Sequence, residues 1–296
     1  MKNKITIIVP IGEDRKLEIL NSVEQHKNKT NLIVEKGPNP SQNRNKGIKK
    51  ANTELVAFLN AHSILTKNWP EKVNEFFEAH PEIDIVGGPQ LTSKEDPLFE
   101  RASGHALSSI FGAAEASARY RIKKLNLKAN EKHLTSANLI CRKKVLKKIK
   151  FDENLWPGED PKFISDALNA GFKVAYSPDI IVYHKRRTTF KALSKQIFNY
   201  GFTRTKKDKF IDTLKNSIFL IPSLFVVYFL FLPTLIALNF FFMFPLLFYL
   251  ILNIFFTIFE TIKNNDFPTL LLMPPLYLTI HLSYGLGFLY GIISKH

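Results

Sequence analysis

Apolar positions follow two different regimes along this chain. As far as about Tyr183, short apolar or β-branched runs alternate with stretches whose apolar residues recur at helical spacing. Lys4 to Ile11 reads as a strand ending at Pro10 and Gly12, and Asp14 to His26 as a helix. Asn31 to Val34 reads as a second strand; beyond the turn Lys36-Gly37-Pro38-Asn39-Pro40, Gln42 to Asn52 reads as a helix and Glu54 to Leu59 as a third strand. Trp69 to Ala79 is a further helix and Ile83 to Val86 a further strand, broken by Gly87-Gly88-Pro89. The alternation predicts βαβαβ units, a parallel sheet with crossover helices. No internal repeat or low-complexity tract interrupts it.

From Ser217 the regime changes. No charged residue occurs between Ser217 and Phe259, a length of roughly 65 Å as helix, more than twice the ~30 Å of a bilayer core. Pro233 and Asn239 lie near its midpoint, which gives two spans, Ser217 to Ala237 and Asn239 to Phe259. Phe267 to Ile293 is a third stretch long enough to cross; it carries Pro268, Pro274, Pro275 and His281, so a kinked or shallow path is expected. These stretches are apolar all round and rich in Phe and Leu, unlike the one-sided helices of a soluble core.

Charge sharpens this division. The chain has 41 basic and 26 acidic side chains, a formal +15. Beyond Ser217 only Glu260, Lys263, Asp266 and Lys295 are charged and they cancel, so the whole excess lies before it. Lys206, Lys207, Lys209 and Lys215 precede the first span, which places the basic head in the cytoplasm. Ile5 to Ile11 is too short an apolar run for a signal peptide. The single cysteine, Cys141, excludes an intramolecular disulfide and any multi-cysteine metal site, and fits a reducing compartment. No RNP, helix-turn-helix or zinc-finger pattern accompanies the basic charge; lipid headgroups are a sufficient partner, and no nucleic acid is expected. The expected organisation is a head over 1–204, a basic juxtamembrane linker over 205–216, and an anchor of two to three transmembrane helices over 217–293.

In open α/β sheets, ligands sit beyond the carboxyl ends of the strands. Those ends are Pro10 to Asp14, Glu35 to Arg44, Asn60 to Ser63 and Gly87 to Gln90. None carries a GxGxxG or GxxxxGK[ST] pattern, so neither a dinucleotide fingerprint nor a P-loop is supported. Further on, Gly158-Glu159-Asp160 precedes Pro161 and a helical run to Ala170. Paired carboxylates suit a general base and its neighbour, and the same residues suit an N-cap followed by Pro at N1. His184 closes a strand from Asp179 to Tyr183 and leads into Lys185, Arg186 and Arg187, a cluster suited to diphosphate oxygens or to a headgroup face. Phe190 to Phe202 reads as an amphipathic helix able to lie in a membrane interface.

Taken in order, Ile5-Thr-Ile-Ile-Val-Pro10, Ser41-Gln-Asn-Arg44-Asn45-Lys-Gly47, Phe58-Leu-Asn60-Ala-His62, Val86-Gly87-Gly88-Pro89, Gly158-Glu159-Asp160, Val182-Tyr-His184-Lys-Arg186-Arg187 and Gln196-Ile-Phe-Asn-Tyr200-Gly201 form an ordered set of motifs. Over roughly Ile5 to Arg204 this set resembles the inverting family 2 glycosyltransferases of the GT-A fold. Within that family it is similar to the membrane-bound succinoglycan ExoA-like group, which acts in exopolysaccharide or lipid-linked glycan assembly. The resemblance implies a mixed sheet flanked by helices and a nucleotide-sugar donor. It also implies transfer with inversion to a lipid-linked glycan or polysaccharide acceptor in cell-envelope synthesis.

In that family the run after the third strand carries a DxD motif that holds a divalent metal against the donor diphosphate. Here it reads Asn60-Ala61-His62, so the resemblance implies Mn2+ or Mg2+ with His62 and His184 as ligands while Asn60 removes one anionic contact. The same three residues also read as a strand-end turn with a capping Asn and an exposed His. By position Asp160 takes the role of base and Glu159 orients it or the acceptor. Pro10, Glu13, Glu35, Arg44, Asn60 and His62 fall on the donor side, with Glu13 equally suited to a helix start. Gly88, Arg119, Arg121, Arg186 and Gln196 fall on the acceptor or phosphate side, the two arginines in a Ser108 to Arg121 acceptor loop. Asn199-Tyr200 stands where processive synthases have Arg-Trp, which favours one sugar per encounter. Two other readings stay open: a polyprenyl-phosphate sugar synthase, and a glycosyltransferase-like glycan-binding subunit, which Asn60 permits and Glu159-Asp160 oppose.

Overall fold

A computed structural model of the chain describes residues 4–13, 16–207 and 217–294. Asp14, Lys209 and Lys215, with most of the expected linker, lie outside the described residues. In chain order the elements are β1 (Ile5–Ile11), α1 (Leu20–Glu24), β2 (Thr30–Lys36), α2 (Pro40–Lys50), β3 (Leu55–Leu59), β4 (Ser63–Leu65), α3 (Trp69–Ala79), β5 (Ile85–Gly87) and β6 (Gln90–Leu91). There follow α4 (Leu98–Ser108), α5 (Ile110–Ala113), a 3-10 turn over Ala114–Tyr120, β7 (Asn138–Arg142), α6 (Lys143–Lys148), α7 (Glu159–Asn169), β8 (Val174–Tyr176) and β9 (Val182–His184). Four longer helices complete the chain: α8 (Phe190–Lys207), α9 (Ile221–Leu238), α10 (Phe244–Asn264) and α11 (Met273–Ile293).

These elements form two compact units, Met1–Ser93 with Glu115–Lys185, and Lys94–Ala114 with Arg186–His296. The first holds a six-stranded sheet of order β2-β1-β3-β7-β5-β8 and a small sheet of order β4-β9-β6. β1 pairs in parallel with β2 from Ile5↔Thr30 to Ile11↔Lys36 and with β3 from Ile5↔Leu55 to Ile8↔Phe58. Only β7 runs against its neighbours β3 and β5, so the sheet is mixed rather than wholly parallel. Strands covered on both faces read as unbroken apolar runs, and alternate residues part to opposite faces. Ile5, Ile7, Val9, Ala57 and Leu59 join one core cluster, while Ile8, Val56 and Phe58 join the other with Phe151 and Phe163.

Several expected boundaries move. α1 is one short turn because Ile19 N–H bonds the Ala61 carbonyl (3.0 Å) and no side chain caps the helix. α2 starts earlier than expected, since Asn39 Oδ1 accepts from the Ser41 and Gln42 amides and Pro40 occupies the first turn. α3 has the expected ends. Asp160 is not an N-cap: α7 begins at Glu159 after Gly158, whose φ of 117° suits glycine. The segment from Ser108 to Arg121, expected as a loop, is built mainly of the short helix α5 and a 3-10 turn.

In the second unit, α4 is tied to the turn before α11 by Arg101, whose Nε and Nη2 donate to Asp266 at 2.8 and 3.1 Å. α9, α10 with its preceding turn, and α11 are the described helices long and apolar enough to cross a membrane. α10 runs five residues beyond the expected end, to Asn264, where an Asn265 in left-handed conformation stops it.

α2 meets the sheet through Gly47, whose position leaves no space above β1: a Cβ there would lie 2.5 Å from Ile8 Cγ2. Gly47→Ala is therefore expected to overpack this contact and to lower stability by about 1–3 kcal/mol. Thermal unfolding of the detergent-solubilised full chain measures it; an unchanged midpoint would contradict the contact.

Candidate active site

The parallel strands β1, β2, β3 and β5 all end at one edge of the large sheet, and β4 and β6 begin just past two of those ends. β9 lies between them, pairing Ser63 with His184 and Gln90 with Val182. That register brings the end of β3 to the end of β9: Asn60 Nδ2 donates to His184 Nε2 at 3.1 Å. An amide nitrogen has only donors to offer, so this ring nitrogen is the unprotonated one. His62 Nδ1 lies 3.6 Å from Glu18 Oε1, and Glu18 Oε2 accepts from Lys185 Nζ at 2.8 Å. Lys185, before all else, holds the Glu18 carboxyl below its usual range. Three expected residues, Asn60, His62 and His184, thus meet at the strand ends, with Glu18 as an unforeseen fourth.

Among the described residues no three His, Cys, Asp or Glu side chains form a metal group. The strand ends offer two imidazoles, an amide and a single carboxylate, Glu18, which is already paired with Lys185. Hard divalent ions prefer anionic oxygens, so this set fits a cation that is shared with an anionic ligand, not one held by the protein alone. A cation taken through His184 Nε2 displaces the Asn60 amide.

The second cluster is built on α2 and α7. Arg44 is buried, and its Nη1 donates to Glu159 Oε1 at 2.9 Å and lies 3.6 Å from Asp160 Oδ1. Its guanidinium also covers the Phe151 ring, 5.1 Å from the centroid, and Phe151 stacks on Phe163 of α7. Glu159 Oε2 accepts from Gly158 N–H at 2.9 Å, which uses its other oxygen. Burial first, and then the neighbouring Asp160 charge, push the Glu159 carboxyl above its usual value, while Arg44 draws it back. Asp160 differs from its neighbour. Its Oδ2 accepts from Ser136 N–H at 3.1 Å, and its Oδ1 is enclosed without a hydrogen-bond partner.

Several of the remaining expected residues have structural partners of their own. Pro10 stands opposite Glu35 in the β1–β2 register, and Glu35 pairs with Lys50 at 2.6 Å. Glu13 is exposed on the segment after β1. Arg44, expected on the donor side, is paired with the α7 carboxylates. Gly88 packs so closely on the Ser177 and Ile180 carbonyls that a side chain would collide with them. Arg119 binds the Lys132 carbonyl at 2.9 Å and pins that loop. The Arg121 carbonyl accepts from Tyr176 Oη at 2.9 Å. In the other unit, Gln196 accepts from Arg187 Nε at 3.2 Å and donates to Tyr200 Oη at 2.8 Å, and Arg186 precedes α8. Glu18, Ser136 and Phe151 escaped sequence reasoning, Ser136 because it introduces the unforeseen antiparallel strand β7.

A mixed sheet of this order, with a second small sheet at the strand ends and paired carboxylates opening a helix beside them, defines a GT-A-type nucleotide-diphospho-sugar transferase fold. Residues 7–150 match the model described as Glycosyl transferase family 2. It is 27% identical over 222 residues to the minor teichoic acid biosynthesis protein GgaB of Bacillus subtilis (strain 168), covering 71% of this chain and 23% of that one. It is 26% identical over 156 residues to a pre-mycofactocin glycosyltransferase of Mycobacterium tuberculosis (strain CDC 1551 / Oshkosh), covering 51% of this chain and 31% of that one. The chain thus spans about a quarter to a third of the length of these curated relatives. Among solved structures, the mannosyltransferase PcManGT from Pyrobaculum calidifontis, in complex with GDP-Man and Mn2+, superposes with a TM-score of 0.58 at 12% identity. That superposition covers 100% of this chain and 89% of the other and shows the shared fold.

Arg44→Met leaves two carboxylates facing each other with no cation. Stability is expected to fall by about 3 kcal/mol at pH 7, and by less at pH 5, where Glu159 takes up a proton and its burial costs less. Unfolding midpoints at the two pH values test this; an equal loss at both would remove Arg44 as the counter-charge.

Proposed function

We propose that the chain transfers a sugar from a nucleotide-sugar donor to a hydroxyl of a lipid-linked glycan or polysaccharide acceptor, with inversion at the anomeric carbon. The observation that carries this reading is Asp160. One carboxylate oxygen is fixed by Ser136 N–H and the other is an acceptor with no donor, 3.6 Å from a buried guanidinium. A general base needs a carboxylate held ionised and oriented with one lone pair uncommitted. The Asp160 carboxylate takes the acceptor's proton as the acceptor oxygen attacks the anomeric carbon; the bond to the diphosphate breaks on the opposite face, and the electron pair leaves with the nucleotide. Arg44 and Glu159 position Asp160 and do not touch the reacting atoms.

The donor diphosphate is assigned to the other cluster, at Asn60, His62 and His184, with Pro10 and Glu35 at the nucleoside side. Mn2+ or Mg2+ at His62 and His184, completed by diphosphate oxygens, would neutralise charge on the leaving group. A nucleotide-sugar and Mn2+ accompany the Pyrobaculum protein of the same fold, and the two curated relatives are named for teichoic acid synthesis and glycosyl transfer; these names support the class of reaction. The apolar helices support a membrane location, with the catalytic domain on the cytoplasmic side and a membrane-embedded acceptor.

Asp160→Asn is expected to lower transfer about 10²–10⁴-fold while donor binding, followed by calorimetry, stays unchanged. Transfer near the wild-type rate would reject Asp160 as the base. Mn2+ is expected to bind detectably only when the nucleoside diphosphate is present, and Asn60→Asp to tighten that binding by about tenfold through an added anionic oxygen. Tight Mn2+ binding to the unliganded wild-type chain would contradict the shared-cation reading.

A further inference from the structure

Length and composition treat α9, α10 and α11 alike, but their surroundings do not. In the apolar stretches of α9 and α10 only 17% and 11% of residues are buried, against 44% for α11. Leu230, Leu238, Phe248 and Ile251 of the first pair face outward, as lipid-facing side chains should. α11 instead buries a continuous stripe at helical spacing, including Tyr277, Ile280, Ser283, Phe288 and Gly291.

The cover over that stripe is polar at both ends. Along its first half, His281 Nε2 meets the Phe111 carbonyl at 2.8 Å, and a Cβ at Gly112 of α5 would lie 3.2 Å from Tyr277 Cε1. The adjoining α4 carries Arg101 and His105, both on Asp266. Along its second half, α11 is paired with α8, and the two run in the same direction. Ser194 Oγ and Ser283 Oγ are 2.9 Å apart near one end, and Thr205 lies against Gly291 at the other. Between them the backbones touch through glycines: a Cβ at Gly201 would strike the Tyr284 carbonyl, and one at Gly287 the Phe198 carbonyl. α8 carries Lys191 and Lys195 toward one end and Lys206 toward the other, all exposed, so a helix charged at both ends, with an uncharged middle shorter than a bilayer core, accompanies α11. If α11 crossed the bilayer, those ammonium groups would have to enter the hydrocarbon with it.

We propose that α11 does not cross the membrane. It lies beside α8 in the headgroup plane of an anionic bilayer, and α9 and α10 form the single crossing pair. The α8 lysines meet lipid phosphates, and the outward residues of α11, Leu286, Tyr290 and Ile293, rest on the acyl boundary. An even number of crossings returns Ser294 to the side of the membrane that holds Lys191.

Single cysteines at Lys191→Cys, Phe241→Cys and Ser294→Cys in the full chain test this in sealed, uniformly oriented vesicles. A membrane-impermeant maleimide is applied before and after permeabilisation; native Cys141 is buried and stays unlabelled. Lys191→Cys and Ser294→Cys are expected to label from one face and Phe241→Cys from the other. Labelling of Ser294→Cys from the Phe241 face, or of all three from one face, overturns the proposal. Nitroxide depth at Leu286→Cys, Tyr290→Cys and Ile293→Cys is an independent measurement. An in-plane helix puts the three at one depth, whereas a crossing helix spreads them over roughly 10 Å, and such a gradient would equally refute it.

Discussion

The buried contact of Arg44 with Glu159 joins parts of the chain separated by more than a hundred residues and fixes the start of α7. A guanidinium taken out of water needs an anion, and Glu159, equally buried, needs a cation. Neither can move without exposing the other's charge. Asp160, next in the helix, is therefore placed by a constraint it does not itself supply. Phe151 and Phe163 close the cluster from below, stacked with centroids 4.3 Å apart, so the aromatic core and the ionic site are one packed object. Glu159 spends both oxygens on structure, whereas the neighbouring carboxylate keeps one oxygen without a donor.

The other half of the site depends on hydrogen-bonding register. Asn60, His62 and His184 lie far apart in sequence, and no local preference brings them together. β4 and β9 do so, pairing Ser63 with His184. Asn60 in place of an acid then shapes the electrostatics: an amide bonds to His184, and the nearest carboxylate, Glu18, is shared between His62 and Lys185. The strand ends are thus poor in free anionic oxygen.

In the helical unit, small residues decide what packs. Gly201, Gly287 and Gly291 let α8 and α11 approach at backbone distance, and a helix that reads as surface becomes the cover of one that reads as membrane. Hydropathy sees each segment alone. Burial and the charges on a packed neighbour set where a segment can rest.

Much of this was legible in the sequence. β1, β3 and α3 follow from apolar runs and helical spacing because their burial is the same in any α/β arrangement, and the ordered motifs pointed to the GT-A fold. The Glu159-Asp160 pair and the strand-end trio stood out by residue type and position. Tertiary structure alone decided the rest. Arg44 pairs with α7 because buried charge needs a buried countercharge, and Arg119 binds backbone carbonyls of the loop before β7. β7 ran antiparallel and brought Ser136 to Asp160, because strand direction is set by partners across the sheet and not by the strand's own residues. A sequence fixes which groups a chain can offer and the local shape that carries them; which groups meet is settled by long-range pairing and burial.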